Sequence, residues 1–551
     1  MRGLGKIDLS PICGTPVAPE GAPTVQFDLI VVGGGINGAG IARDAALRGL
    51  RTCLLEQGDL CNSTTRWSSR LIHGGLRYLE FGELGLVHES LQERENLLRN
   101  APHLVRPLPL MIPVYEDARR GMNTVDFGLY VYDLLSIGRS VPGHRRLAKD
   151  EALAEMPGLL ADGLTGAVVY YDAQVTYVER LVVENALGAA AAGARIDTHT
   201  AVEKVLLERN HVTGVEVRDT RTGERSTRHA RAIINAAGPW VDRILAAAGR
   251  PLPRFLGPTK GTHIVVPRLP GLTDTACYAE ARSDGRPFFI LPWNGLVLIG
   301  TTDTRCDDEP TTLRATAAEV DYLLAETRNT FPECGLTRDD VLYTYCGVRP
   351  LPRQGLRETG AITRRHLIRH HGRSARGLTS IIGGKITTYR HLAEEVLDQV
   401  VPRLRVAARS CTTDRVPLPG GQAGRDEVLR ELAAFGSVPA VSHAHLYAVY
   451  GSRAPLVAAL ARETPELGQP LVPGGPAIGA EVVFAVREEF AASLGDVLLR
   501  RCMAGLDPDL GRGAVPGALR VAAGHLGWSE ARCRAEEAAY LAEIAPLAPP
   551  P

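Results

Sequence analysis

The stretch that most constrains this chain is FDLIVVGGGINGAGIARDAALRGLRTCLLEQGD, residues 27–59. Residues 28–32 read as a buried strand, 37–47 as an alanine-rich helix and 51–55 as a second buried strand. Between strand and helix, Gly33, Gly35 and Gly38 make a G-x-G-x-x-G turn, with Asn37 at the helix start. Glycine lets a backbone turn this tightly and then approach a pyrophosphate, whose charge rests on the unpaired N–H groups of the helix N-terminus. The second strand ends at Glu56. An acid about 20 residues beyond the glycines is placed to accept a ribose hydroxyl, which points to a dinucleotide without a 2′-phosphate. A lone glycine triplet says little; strand, turn, helix, strand and acid in order say dinucleotide binding in an α/β layer.

At 551 residues the chain is too long for one core, and about two to four domains are expected. Lys+Arg and Asp+Glu both number 62. A net charge of zero argues against a general nucleic-acid binder, and no nucleic-acid partner is expected. The 10 cysteines carry no C-x-x-C or metal-like pairing, so they read as reduced core thiols of a cytoplasmic protein, with no metal site. Only Lys6, Lys149, Lys204, Lys260 and Lys385 are lysines, which favours a specific use of a compact ammonium where a lysine falls in a motif. Residues 1–26, rich in Pro and Gly, read as a flexible leader, and no run of about 20 apolar residues is present to span a bilayer.

After Glu56, residues 61–79 form a loop of small hydroxyls, Thr64, Thr65, Ser68 and Ser69, then Leu71 and a turn in which His73 precedes Gly74 and Gly75. Such groups hydrogen-bond phosphate and ring atoms, and paired glycines admit a flat ring. Residues 84–100 read as a helix. Residues 122–138 form an apolar segment, broken by Asp126 and Asp133, between Arg119-Arg120 and Arg139, Arg145 and Arg146. The first reading is a helix covering a substrate domain; the alternative is a face lying on an anionic membrane. A helix at 178–192 leads to a small β-meander at 201–229 that includes Val202, then to a strand at 232–236 ending in Ala237, Gly238 and Trp240. Further β runs fall at 258–267, 287–292, 296–301, 342–348 and 378–382. The last opens a second glycine turn, Gly383-Gly384-Lys385, continued by Thr387 and Thr388. Residues 404–422 read as a linker and 423–545 as a helical domain, within which 481–502 is amphipathic and carries Arg487, Glu488, Glu489, Arg500 and Arg501.

With these loops assembled, the chain resembles the FAD-dependent glycerol-3-phosphate dehydrogenases: SSRLIHGGLRYLE at 68–80, KGTHIVVP at 260–267, GVRPL at 347–351, GGKITTYR at 383–390 and a C-terminal helical domain. The resemblance runs from about residue 27 to residue 501. It implies an α/β chain with an FAD-binding Rossmann-like domain of the two-dinucleotide-binding type at 27–100, 165–245 and 345–403. A mixed-sheet substrate domain at 101–164 and 246–344 is interleaved with it, and the C-terminal α-helical domain follows. It implies non-covalent FAD, oxidation of sn-glycerol 3-phosphate to dihydroxyacetone phosphate by hydride transfer to flavin N5, and electrons passed to a quinone. A homodimer, peripheral on the cytoplasmic face of the inner membrane, is the implied assembly. After residue 175 the chain departs from the family: Thr176-Tyr177 replace an acidic pair and Glu179-Arg180 follow. This departure is read as bearing on a surface or dimer contact rather than on the chemistry.

Given that resemblance, Arg349 is the first choice for the phosphate, because a guanidinium fork pairs bidentately with phosphate oxygens; Lys385 and Arg77 come next. His263, in an apolar run, would by itself read as a satisfied core histidine, and the matched motif makes it a proton acceptor. His73 is the rival base. Tyr78 is assigned to the substrate or to ordering Arg77, and Lys385 alternatively to negative charge on the reduced ring. Two other functions stay open: a flavin-dependent oxidase of the same fold, using oxygen or another alcohol or amine, and a flavin-binding regulator without turnover.

Overall fold

The computed structural model describes residues 26–80, 82–136, 138, 140–353 and 365–551. The expected leader lies outside them except for residue 26, which opens the first strand, Gln26–Val32. That strand is the centre of an eight-stranded sheet. Thr52–Leu55 and Arg225–Asn235 pair with it in parallel on either side. Leu378–Ile382 extends the parallel set beyond Arg225–Asn235, and Arg195–Asp197 extends it beyond Thr52–Leu55. The central residues Leu29, Ile30 and Val31 are fully buried, as a parallel strand covered on both faces requires. The helix Ile36–Leu47 packs between the helices Val178–Ala191 and Tyr389–Leu404 on one face of this sheet. Gly40 allows the close approach, since a Cβ there would lie 2.5 Å from the Tyr389 ring.

A second, ten-stranded sheet is mixed. Its spine is the antiparallel pair Val105–Tyr115 and Leu164–Val175. Nothing in the residue pattern announced the first of these as a strand, because Pro107, Pro109 and Pro113 interrupt it. All three share one parity, so their missing N–H groups fall on one side of the strand, where Ala276–Glu280 pairs only at Leu110 and Met111. Thr259–Val266 lies between Tyr343–Arg349 and Leu296–Gly300, antiparallel to both. The strands Leu164–Val175 and Tyr343–Arg349 therefore belong to this sheet, although the expected boundaries at 165 and 345 put them with the dinucleotide layer.

Beyond Leu404 the chain is helical from Arg425–Phe435 to Glu530–Ile544. The segment 481–502, expected as one amphipathic stretch, is two helices, Gly479–Glu488 and Leu494–Arg500. Glu489, Arg500 and Arg501 are buried, and Arg180 binds Glu489 through two contacts of 2.5 and 2.8 Å. Glu179 is likewise buried against Arg70, at 2.7 and 2.8 Å. The departure at 176–180 is thus interior, not a surface contact: its two charges tie the dinucleotide layer to the hydroxyl loop and to the helical domain. The described cysteines are all free thiols. No helix among the described residues is long and apolar enough to cross a membrane.

Candidate active site

A cleft of ≈ 1890 Å³ is lined from both sheets. At one end sits the glycine turn. Gly33 has φ +109°, and a Cβ on it would lie 2.6 Å from the Ala236 carbonyl oxygen; a Cβ on Gly38 would lie 1.8 Å from the Gly33 oxygen. Strand end, turn and helix can close only without side chains at these points. Glu56 accepts the Gly34 N–H at 2.6 Å and the Gly58 N–H at 2.9 Å, and burial raises its pKa. Thr65 Oγ1 accepts the Ile36 N–H at 3.3 Å, and Thr64 donates to the Val348 carbonyl at 2.6 Å. Asn37 joins the two glycine turns, its Nδ2 donating to the Gly383 carbonyl at 3.3 Å. Its Oδ1 is buried and, among the described residues, without a partner. Val202, Ala237, Gly238 and Trp240 line this end, and the Trp240 Nε1 donates to Glu309 at 2.9 Å.

At the other end, Arg349 extends across the strand Thr259–Val266. A Cβ on Gly261 would meet its Nη2 at 2.2 Å. The guanidinium is held by Asp303 at 3.0 Å and by the Thr301 hydroxyl at 2.9 Å. Two residues along the same strand face is His263, whose Nε2 lies 2.8 Å from Ser69 Oγ. Its ring stacks on Tyr345 with centroids 4.9 Å apart, and the Tyr345 hydroxyl donates to the Ser68 carbonyl at 2.9 Å. His263 Nδ1 is buried and, among the described residues, has no partner. Burial and then the nearby Arg349 and Arg70 charges push the His263 pKa down to about 3. His73 is driven down to about 4, mainly by burial, with Lys385 adding to the shift and Asp172 opposing it. Both imidazoles are therefore neutral at pH 7 and able to accept a proton.

Ser68, Ser69, Leu71, His73, Gly75, Tyr78, Gly384, Lys385 and Thr387 also line the cleft. Lys385 donates to Ser90 at 3.0 Å and sits 4.1 Å over the Tyr78 ring. Three expected residues stand behind the wall instead. Gly38 faces Gly33, Gly74 donates its N–H to the Tyr132 hydroxyl at 2.9 Å, and Thr388 is buried at the start of Tyr389–Leu404. The Arg77 side chain lies outside the described residues. Sequence reasoning missed Asp303 and Thr301, although both follow the end of Leu296–Gly300, where a loop at a strand terminus is a signal. It also missed Asp172, which accepts from Tyr132 at 2.8 Å and from Arg94 at 2.7 Å and so holds the Gly74 turn from behind.

Residues 28–390 match the FAD dependent oxidoreductase family, and residues 411–533 match the C-terminal domain of alpha-glycerophosphate oxidase. A glycerol-3-phosphate dehydrogenase of Synechocystis is 44% identical over 527 residues, covering 93% of this chain and 95% of that protein. The chain belongs to the FAD-dependent glycerol-3-phosphate dehydrogenase family. Another relative, 38% identical over 482 residues, 86% of this chain and 93% of its own, is the D-erythritol 1-phosphate dehydrogenase of Brucella abortus. Among solved structures, the glycerol-3-phosphate dehydrogenase of Bacillus halodurans complexed with FAD is 30% identical. It matches with a TM-score of 0.79 over 95% of each chain. FAD dependence comes with this family, and the cleft fits the group: the glycine turn closes only without Cβ atoms, the Glu56 carboxylate stands beside that turn, and Asn37 has a buried oxygen without a partner among the described residues. The hydroxyl loop and the second glycine turn line this same cleft.

Proposed function

We propose that the protein oxidises sn-glycerol 3-phosphate to dihydroxyacetone phosphate. One observation carries this reading: Arg349 covers Gly261, and His263 stands on the same face of the same strand two residues away, about 7 Å along it. A cation and a neutral base at that spacing suit a three-carbon phosphoester, with the phosphate on Arg349 and the C2 hydroxyl at His263. Asp303 and Thr301 hold the guanidinium so that little rotamer freedom is lost on binding. Ser69 and Tyr345 fix the His263 ring. His263 takes the hydroxyl proton, and the phosphate dianion offsets the Arg349 charge that disfavours imidazolium. FAD, when bound, supplies the acceptor for the hydride leaving C2. Lys385, beside Tyr78, holds positive charge at the second glycine turn, where it would stabilise an anionic ring.

Anaerobic titration of the yellow protein tests the substrate. Glycerol 3-phosphate is expected to bleach the flavin and glycerol to leave it coloured; bleaching by both would remove the phosphate from the argument. The Brucella relative supports a second reading in which the phosphate anchor is kept and the polyol is longer. D-erythritol 1-phosphate is therefore the third titrant.

A quinone at the membrane is the acceptor we infer. The helix Met122–Leu135 buries Leu129 and Tyr132 yet exposes Phe127, Tyr130 and Leu134 at 69, 63 and 56%, and Arg119, just before it, lines the cleft. An apolar face beside a basic rim suits an anionic bilayer surface. Flotation with anionic vesicles at low salt tests the contact, and failure to co-float would sink it. The oxidase name of the C-terminal match keeps oxygen as the rival acceptor; oxygen uptake as fast as quinone reduction would favour it.

A further inference from the structure

No residue after Thr387 lines the cleft, so among the described residues the whole C-terminal domain stands outside it. The domain nevertheless grips one loop of the cofactor end. On its front, residues 56–66 touch the glycine turn and the cleft. Glu56 takes the Gly34 N–H at 2.6 Å, the Cys61 N–H donates to the Gly34 carbonyl at 3.0 Å, and residues 62–65 line the wall. On its back, the fully buried Asp59 carboxylate receives Arg500 Nε at 2.6 Å and both terminal nitrogens of Arg501 at 2.7 and 2.9 Å. Arg501 is itself anchored by donating Nε to the Glu489 carbonyl at 2.8 Å. The same loop is held again where Arg66 meets Glu543 at 3.4 Å, and where the His199 N–H donates to Gly58 at 2.7 Å while its ring meets Asp496 at 2.9 Å. Asp59 and Cys61 are two residues apart, one bound to the helical domain and the other to the glycine turn.

We propose that the C-terminal domain acts on FAD at one remove, with Arg501 and Arg500 as positioning residues that hold Asp59, and through it the loop 56–66, in the form that closes on the dinucleotide. A buried carboxylate held by the Arg501 fork and by the Arg500 Nε has one low-energy geometry, because any displacement leaves buried charge unpaired. The loop therefore enters binding with its shape already set, and the ordering that a free loop would require on binding is met during folding.

The test is FAD affinity of the purified holoenzyme, followed as flavin fluorescence released on dilution, alongside thermal unfolding. It rests on FAD dependence and not on the substrate, so a failed glycerol 3-phosphate titration leaves it readable. Arg501→Met is expected to raise the FAD Kd about ten-fold or more, with Arg501→Lys in between because it keeps the charge and loses the fork. The control is Glu184→Gln. It neutralises an equally buried carboxylate: Glu184 accepts the Gly420 N–H at 2.8 Å and meets His103 at 3.3 Å, and neither contact has an atom on the loop. It is expected to lower the unfolding midpoint and leave the FAD Kd unchanged. An unchanged FAD Kd in Arg501→Met, or an equal rise in Glu184→Gln at equal loss of thermal stability, overturns the proposal. Should Arg501→Met not fold, Asp59→Asn is measured in its place and the same two outcomes decide.

Discussion

Single side chains in this cleft are placed by what lies behind them. Arg349 reaches over Gly261 because that position has no Cβ, and Asp303 and Thr301 aim the guanidinium. Arg349→Met removes a charged bidentate contact of about 1.5–3 kcal/mol. We expect kcat/KM for glycerol 3-phosphate to fall roughly 10- to 150-fold with FAD content unchanged, read from steady-state kinetics and the visible flavin spectrum. His263 carries its pKa depression, to about 3, because burial disfavours the imidazolium. The depressed pKa, about 3, favours the base form through the neutral range. Once the substrate phosphate's own ionisation near pH 6 is allowed for, the kcat/KM profile should show no enzyme limb near 6.5. A limb there that disappears in His263→Gln would contradict this. His263→Gln should itself lower kcat by about 10²- to 10⁴-fold.

Elements converge here by close approach of backbone to backbone. Strand end, glycine turn and helix Ile36–Leu47 meet at Gly33 and Gly38, and the Gly38 site is the tighter, with 1.8 Å from a would-be Cβ to the Gly33 oxygen. Gly38→Ala must move the helix relative to the strand, an overpacking cost of about 1–3 kcal/mol. The helix N-terminus would then stand away from the pyrophosphate. We expect protein that folds but purifies with little flavin, measured as the ratio of visible to ultraviolet absorbance; a normal flavin content would show that the turn can relax. The strand Val105–Tyr115 makes a related point about elements. Its prolines are tolerated because they share the side of the strand that needs few donors.

Across the whole molecule, buried ion pairs join the helical domain to the dinucleotide layer and its loops. Arg180 and Arg453 converge on Glu489, and all of these side chains lie inside the folded chain or nearly so. Attraction from the two guanidiniums overcomes the burial that opposes ionisation and holds the Glu489 carboxyl down at about 2. A depressed carboxyl contributes stability that is present above its unfolded pKa, near 4.5, and is lost as pH falls towards about 2. Glu489→Gln leaves two cations uncompensated and should cost about 3–5 kcal/mol, seen as a lower denaturation midpoint at pH 7. Its stability should also fall less steeply than that of the unmodified protein between pH 4.5 and 2, because the lost group no longer titrates.

Legible in the residues alone were the dinucleotide turn, most of the strands that follow it, the second glycine turn and the helical character of the C-terminal part. Each of these is local: hydrophobic period, glycine spacing and an acid at a strand end all act within a few tens of residues. Motif resemblance carried the rest of the candidate site, including Arg349, His263 and Lys385. What only the tertiary structure decided was which partners those residues have. Asp303 meets Arg349 from 46 residues away, Ser69 meets His263 from 194, and Asp59 meets Arg501 from 442. The segment 481–502 was legible as amphipathic but not as holding buried charges, because a helical period cannot tell a water-facing arginine from one facing a buried carboxylate on another element. A side chain's polarity is fixed by sequence; its counter-charge, and therefore whether burial is tolerable, is fixed by where the rest of the chain has folded.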